Sequence, residues 1–119
     1  METLVHRYIQ SWNELDPVRR RAAIEEVYTA DAVYVDPLAE ATGWDQIDAM
    51  VAAAQKQLAG FAISLAGPVD EHHQIARFQW QAGSPGLSEP LVVGFDVAEA
   101  QDGKLTRLSC FFDKVPAQV

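Results

Sequence analysis

The chain has 119 residues, which suits one domain that buries roughly two-thirds of its unfolded surface around a single core. Its 49% hydrophobic content is ordinary for a globular protein and indicates neither a disordered nor a fibrous chain. Nine Lys and Arg residues against 17 Asp and Glu give a net charge of −8, which argues against nucleic acid or an anionic membrane as partner, because both attract basic surfaces.

The cysteine count and the length of the apolar runs bear on disulfides, zinc binding, secretion and membrane insertion. Cys110 is the single cysteine, so an internal disulfide is impossible and a cysteine-built zinc site is disfavoured. The first ten residues are amphipathic and do not have the form of a signal peptide. No apolar run approaches the length of a membrane span. We therefore expect a soluble cytoplasmic protein with one domain over residues 1–119.

The first half of the chain predicts helices. Apolar residues at helical spacing near the amino terminus are Leu4, Val5, Tyr8, Ile9 and Trp12. Asp16 followed by Pro17 is typical of an N-cap with proline in the first helical position. The side chains of this second helix that we expect to be buried are Ile24, Val27 and Tyr28. Those that we expect in water are Arg19, Arg20, Arg21, Glu25 and Glu26.

A short strand and a third helix come next. The segment AVYVDP predicts a strand that ends at the proline. Thr42, with Asp45 three residues later, resembles a capping box at the start of a helix. Gly60 is a candidate for the carboxyl-terminal cap. The predicted apolar face of this helix consists of Ile47, Met50, Val51, Ala54 and Leu58.

From Phe61 onward the apolar period changes to two. Ala76, Phe78 and Trp80 alternate with polar residues, which is typical of a half-buried strand. The segment LVVGFDVAEA is apolar on both faces, and Asp102-Gly103 predicts a hairpin into a last strand, KLTRLSCFF. Helices first and antiparallel strands afterwards indicate an α+β domain.

Three proton-carrying groups lie within segments that otherwise predict burial: Tyr8, Asp36 and Asp96. An ionised carboxylate is costly there unless it is paired or neutralised, and a shared cavity would satisfy both carboxyl groups. Asp36 can also be explained as a turn residue, because Asp-Pro is a common turn pair. Tyr8 can be explained as a core tyrosine. Asp96 has only apolar neighbours on its strand, so we expect its pKa to be raised.

Other polar residues are less informative. His72 and His73 are adjacent, so on a strand they would point to opposite faces, and a surface pair near a turn is the favoured interpretation. No metal site is predicted. Cys110 is treated as a small buried apolar residue. The glycines lack the spacing of a phosphate-binding loop.

The chain resembles the nuclear transport factor 2-like (SnoaL-like) superfamily, and within it ketosteroid isomerase most closely. The segments that carry the resemblance, in the family's order, are RYIQSW, VYTADAVYVDP, GWDQIDAM, GPVDEHH, GFDVAEAQDGKL and FFDKV. The resemblance implies N-terminal helices packed in a strongly curved antiparallel sheet, a cone with a deep apolar pocket. It also implies a homodimer.

The resemblance assigns roles residue by residue. Tyr8 matches the oxyanion-hole tyrosine, Asp36 matches the aspartate that carries the proton, and Asp96 matches a second oxyanion donor. The use of a neutral aspartic acid as donor is an established feature of this isomerase family. Tyr28 matches a tyrosine that hydrogen-bonds behind the oxyanion tyrosine. The predicted substrate pocket is lined by Trp12, Tyr28, Tyr34, Trp44, Met50, Phe61, Phe78, Trp80, Cys110 and Phe112.

The chain departs from the isomerase at Val51, where a supporting tyrosine is expected, and at Phe112, which replaces another aromatic residue. Limonene-epoxide hydrolases need an Arg-x-Asp pair, whereas this chain has Arg77-Phe78-Gln79, so epoxide hydrolysis is disfavoured. SnoaL-like polyketide cyclases use an aspartate at the position of Asp96.

The resulting hypothesis is a cofactor-independent isomerase that moves a proton next to the carbonyl of an apolar small molecule. Asp36 would be the base, and Tyr8 and protonated Asp96 would stabilise the enolate. Two alternatives remain open: a non-catalytic ligand-binding or scaffolding domain of the same fold, and a SnoaL-like aldol cyclase.

Overall fold

Three helices precede or interrupt a single seven-stranded sheet in the computed structural model, which describes residues 1–116. The helices are α1 (Glu2–Asn13), α2 (Pro17–Val27) and α3 (Gly43–Gln57). The strands are β1 (Tyr28–Val35), β2 (Glu40–Thr42), β3 (Ala62–Leu65), β4 (Asp70–His72), β5 (Ile75–Gly83), β6 (Val92–Gln101) and β7 (Lys104–Lys114). The predicted α+β class is confirmed.

The strand order is β2-β1-β7-β6-β5-β3, and β4 pairs with the start of β5. All pairs are antiparallel except β1 with β7, which run parallel. The sheet is therefore mixed, and the expectation of a wholly antiparallel sheet is wrong for this pair. A parallel neighbour needs a long crossover, and the chain between β1 and β7 supplies one.

Register shifts bend the sheet into an open, curved surface. They fall between Tyr28 and Val33 on β1, and on β6 between Val93 and Gly94 and between Glu99 and Ala100. An extra residue at such points increases the local bend and twist. The concave side faces the helices, so alternate residues of β5, β6 and β7 point into the core.

The predicted N-cap of α2 is formed, whereas the predicted capping box of α3 is not. Asp16 caps α2, accepting a hydrogen bond from the Arg19 amide at 2.9 Å, with Pro17 in the first turn. The predicted capping box of α3 is wrong, because the Gln46 side chain, not Asp45, accepts from the Thr42 amide at 2.9 Å. Asp45 instead pairs with Arg21 at 2.7 Å.

Arg20 was expected in water but is buried between α2 and α3. Its guanidinium Nε donates to Asp48 Oδ1 at 2.8 Å, and its Nη1 donates to Gln55 Oε1 at 3.0 Å. A buried guanidinium is tolerated when its donors are used by a carboxylate and an amide in this way. The helix pattern alone could not show this, because both acceptors come from another helix.

The first helix packs its apolar stripe against the concave face. Its residues Leu4, Val5, Tyr8 and Ile9 are buried, and Trp12 packs against the same core. On the other helices, Ile24, Val27, Ile47 and Val51 are buried as predicted. The core thus lies between the three helices and the hollow of the sheet. No helix within residues 1–116 is long and apolar enough to cross a membrane.

Candidate active site

Asp96 lies in the middle of β6 with its side chain on the concave face. The residue is 0% exposed and is the cross-strand partner of Phe78 on β5 and of Cys110 on β7. Residues i and i+2 of a strand share a face, so Gly94 and Ala98 face inward with it. Asp96 is therefore an isolated acidic group within a layer of apolar side chains.

Two donors hold the Asp96 carboxyl group. The Tyr8 hydroxyl donates to Oδ2 at 2.8 Å, and the Trp80 indole Nε1 donates to Oδ1 at 2.9 Å. Burial raises the pKa of Asp96 to about 6, although the hydrogen bonds from Tyr8 and Trp80 oppose that rise. A carboxyl group with such a pKa can bind and release a proton near neutral pH.

Trp80 reaches Asp96 because the residue opposite it on β6 is a glycine. Trp80 pairs with Gly94, which in turn pairs with Phe112 on β7. A Cβ atom at position 94 would lie 2.2 Å from the Trp80 indole. The indole thus lies across the glycine, edge-on to Phe112 at 6.3 Å, and its N–H points to the carboxyl group.

Asp36 follows β1 and is held in a tight turn. Its Oδ1 accepts from the backbone amides of Leu38 and Ala39, both at 2.7 Å. Its Oδ2 accepts from the Tyr34 hydroxyl at 2.7 Å. A carboxylate has about four lone-pair sites, so one site on Oδ2 is left. Asp36 is thus both the turn residue and a half-buried carboxylate with room for one more hydrogen bond.

The two carboxyl groups belong to one electrostatic neighbourhood. The charge of Asp36 contributes to the raised pKa of Asp96. The pKa of Tyr34 is raised well above 10, first by burial and then by Cys110 and Asp36. The pKa of Tyr8 is raised for the same first reason, with the Asp96 charge next. Both tyrosines therefore remain protonated donors at neutral pH.

The predicted hydrogen bond of Tyr28 is not formed. Its ring contacts that of Tyr8 edge-on, with centroids 6.4 Å apart. Its hydroxyl is buried and has no partner among residues 1–116. The expected network behind the oxyanion tyrosine is therefore absent in this structure, and the Tyr8 hydroxyl donates its hydrogen bond directly to Asp96.

The other predicted pocket residues divide into three groups. The fully buried ones are Tyr28, Tyr34, Phe78 and Cys110, and the partly buried ones that pack on the core are Trp12, Trp44, Met50, Trp80 and Phe112. Phe61 is half-buried just after the turn that follows α3, and it is not among the residues that pack on the core.

Trp44 was predicted to line the pocket, but its contacts are structural. Its indole N–H donates to the main-chain oxygen of Tyr28 at 3.0 Å, and its ring faces the Lys104 ammonium at 5.9 Å. Tyr28 begins β1 whereas Asp36 follows its end, so Trp44 lies at the opposite end of the strand from Asp36.

The histidine pair lies at the turn between β4 and β5. His72 ends β4 and His73 occupies the turn before β5, with a positive φ of 46°. Both are exposed, as predicted for a surface pair. They do not point to opposite faces, because His73 has left the strand and its Nδ1 lies 3.1 Å from that of His72. Among residues 1–116, no three His, Cys, Asp or Glu side chains group closely enough to hold a metal.

Two cavities open elsewhere on the surface. One of about 440 Å³ lies beside β5, where Arg77 and Phe95 contribute to its wall, and one of about 360 Å³ lies near the β5–β6 loop. Neither is lined by Tyr8, Asp36 or Asp96. Tyr8 is 3% exposed and Asp96 is 0% exposed, so a ligand must displace neighbouring side chains to reach them.

Sequence patterns missed two contacts of the site. Tyr34 and Asp36 are two residues apart, and that spacing could have indicated a pair on one face of a strand. The bond from Trp80 to Asp96 could not be foreseen, since it depends on the register between β5 and β6 and on the space above Gly94.

Comparison with known proteins identifies related chains. The SnoaL-like domain family matches residues 5–108. A candidate isomerase of the SnoaL-like family from Agrobacterium tumefaciens strain C58 is 33% identical, with a TM-score of 0.87 over 93% of this chain and 95% of that one. No curated protein matches the chain.

Two more distant structures share the fold. A candidate polyketide cyclase from Sinorhizobium meliloti is 20% identical, with a TM-score of 0.71 over 91% of this chain and 93% of that one. A candidate ketosteroid isomerase from Kribbella flavida is 16% identical, with a TM-score of 0.71 over 98% of this chain and 80% of that one. At these identities the likeness supports the fold alone, an α+β domain with helices against a curved sheet.

Proposed function

The chain belongs to the SnoaL-like domain family, and on that premise we propose that it is an enzyme that moves a proton next to a carbonyl group through an enolate. The observation that carries this proposal is the buried Asp96, held by Tyr8 and Trp80, with a pKa of about 6. Strongly shifted carboxyl groups in apolar surroundings are typical of acid–base sites. The substrate would be an apolar small molecule.

The proposed reaction begins at Asp36. Its free lone pair on Oδ2 would accept a proton from the carbon next to the substrate carbonyl, which leaves an enolate. Asp36 would then return the proton to the far carbon of the conjugated system, so no net proton is gained or lost. Positioned bases of this kind contribute typically 10²–10⁴-fold to the rate.

Tyr8 and Asp96 would stabilise the negative charge on the enolate oxygen. Without substrate, the Tyr8 proton is used by Asp96. An entering carbonyl oxygen would take over that hydrogen bond, and Asp96 would lose an interaction that lowers its pKa. Asp96 would then take up a proton from solvent and donate a hydrogen bond to the same oxygen. Two donors aimed at developing charge in a dry site are the usual form of an oxyanion hole.

The test follows isomerisation of bicyclic β,γ-unsaturated ketones by ultraviolet absorbance. We expect Asp36→Asn to lower the rate on the order of 10²–10⁴-fold, because the amide cannot accept the proton. Asp96→Asn should reduce the rate less than Asp96→Leu, because an amide still donates a hydrogen bond. Asp31→Asn is the matched control, since Asp31 is an exposed aspartate on the same strand.

Solvent-deuterium exchange next to the carbonyl is a second readout that does not require the true substrate. If the wild type neither isomerises nor exchanges these ketones but binds them, the proposal of catalysis fails. The non-catalytic binding domain would then be the better explanation.

An aldol cyclase is the second candidate. It is favoured by the burial of Asp96, which raises the pKa of this carboxyl group to about 6 and so lets it take and give a proton itself. Asp96→Asn would then abolish activity on a cyclisable polyketone, and Asp36→Asn would not. The opposite order of effects is expected for the isomerase.

A further inference from the structure

The indole N–H of Trp12 is a buried donor without an acceptor. Its Nε1 has almost no accessible surface and no hydrogen-bond partner among residues 1–116. The other two tryptophans donate to Tyr28 O and to Asp96 Oδ1. Leaving a buried donor unpaired costs about 1–3 kcal/mol, so such a group in a folded protein needs an explanation.

Trp12 lies beside the candidate active site. It follows Tyr8 by one helical turn on the inner face of α1, where the Cβ atoms of such residues are about 5–6 Å apart. Its ring packs against that of Tyr34, with centroids 5.8 Å apart. Tyr34 in turn binds Asp36. Tyr8 therefore faces Asp96, and Trp12 lies toward Asp36.

The backbone at Trp12 is fixed by neighbouring elements. The Gln55 amide donates to the main-chain oxygens of Trp12 at 3.1 Å and Glu14 at 2.8 Å. Gln55 is itself held by Arg20. On the other side, Asn13 exchanges two hydrogen bonds of 2.8 Å with the backbone of Ile63. The end of α1 is thus tied to α3 and to β3, and fraying does not explain the unpaired indole.

We propose that Trp12 Nε1 is a specificity-determining donor that binds a second oxygen of the substrate, remote from the reacting carbonyl. The inference rests on the proposed function, since it places the carbonyl at Tyr8 and Asp96. The substrate class is then an apolar ring compound with an oxygen at each end. The far oxygen is an acceptor, such as a ketone or an ether, because the indole can only donate.

The inference can be tested by measuring the binding of two naphthols, because the oxygen of a naphthol resembles the oxygen of an enolate. One is 6-methoxy-2-naphthol, which carries an acceptor at the far end, and the other is 6-methyl-2-naphthol, which does not. We expect the wild type to bind the methoxy compound about three- to tenfold more tightly, the range of one net hydrogen bond. Trp12→Phe, which keeps an aromatic ring but loses the N–H, should remove this preference.

Trp44→Phe is the matched control. It also removes an indole N–H and keeps an aromatic ring, but this N–H donates to the main-chain oxygen of Tyr28, at the opposite end of β1 from Asp36. The variant should leave the methoxy preference intact. If the preference persists in Trp12→Phe or is lost in Trp44→Phe, the inference is overturned.

The indole resonances of the wild-type protein give a second readout, for which the Trp12→Phe variant is needed only to assign one signal. Three indole N–H signals are expected, and the one absent from Trp12→Phe belongs to Trp12. It should move downfield with 6-methoxy-2-naphthol and stay in place with 6-methyl-2-naphthol. If both naphthols bind equally, the inference is overturned, and the isomerisation assay still tests the proposed enzymatic activity. If neither naphthol binds, both the inference and the proposed binding pocket are overturned.

Discussion

At the scale of single residues, the chemistry of this protein depends on Asp96 being buried. The same side chain on a solvent-exposed surface would be hydrated, and its pKa would have no reason to rise. The two hydrogen bonds from Tyr8 and Trp80 stabilise the ionised form, yet burial outweighs them. The balance between desolvation and hydrogen bonding therefore decides the protonation state of the site.

The raised pKa of Asp96 predicts a characteristic pH dependence of stability. The folded state binds this proton more tightly than the unfolded state, so the contribution is present below pH 4 and is lost as pH rises to about 6. The difference between 3.8 and about 6 corresponds to about 3 kcal/mol. The Asp96→Asn variant should not show this loss of stability, while its other carboxyl groups contribute to the pH dependence as they do in the wild type.

Urea unfolding from pH 4 to pH 8 measures the effect. The wild type minus Asp96→Asn difference in unfolding free energy should fall between pH 4 and pH 6.5 and be constant above. A difference that is flat across this range would mean that Asp96 titrates as an exposed aspartate does.

At the scale of elements, the site is produced by the register of three neighbouring strands. Phe78, Asp96 and Cys110 form one row across β5, β6 and β7, and Trp80, Gly94 and Phe112 form the next. A shift by one residue would turn Asp96 to the convex face. Because residue 94 is a glycine, the Trp80 side chain of the second row can reach Asp96 in the first row.

Gly94→Ala should destabilise the protein by about 1–3 kcal/mol, because the new methyl group would overlap the Trp80 indole. Gly83→Ala is the matched control, since Gly83 is also a strand glycine, at the end of β5, and no atom lies within 4 Å of a Cβ at that position. The measurement is the urea midpoint of each variant. Gly94→Ala should lower the stability by less when it is made in a Trp80→Phe background. If it lowers the stability equally in both backgrounds, the overlap with Trp80 is not the cause.

At the scale of the whole molecule, the convex side of β6 is apolar, although it lies beside Arg77, Gln79 and Gln81 of β5. Val93, Phe95 and Val97 on β6 are only half-buried there, and Phe111 on β7 is 59% exposed. An antiparallel strand with one solvated face normally alternates apolar and polar residues, and β6 does not. We propose that a second copy of the chain covers this face and forms a homodimer.

Light scattering at micromolar concentration tests the proposed dimer. The wild type should have twice the mass of one chain, and Phe111→Glu should be monomeric, because it places a charge in the apolar contact. Val18→Glu is the matched control, since Val18 is 79% exposed on α2 and is not part of the sheet. A monomeric wild type, or a dimer that survives Phe111→Glu, would show that the convex face is not the interface.

Local chemistry determined the elements of this protein from the sequence alone. The stripe of α1, the Asp16-Pro17 start of α2, the alternation in β5 and the Asp102-Gly103 hairpin all depend on residues close together in the chain. The burial of Asp96 followed from its apolar neighbours on one strand. These features are set by periodicity and backbone geometry, so they do not require knowledge of distant contacts.

Only the tertiary structure decided which groups meet. The parallel pairing of β1 with β7, the burial of Arg20 and the bond from Trp80 to Asp96 each join residues far apart in the chain. The unpaired indole of Trp12 was likewise invisible, because a missing partner is recognised only once all neighbours are placed. Register and packing between elements select one set of partners from many that the same local patterns allow, and that selection creates the site.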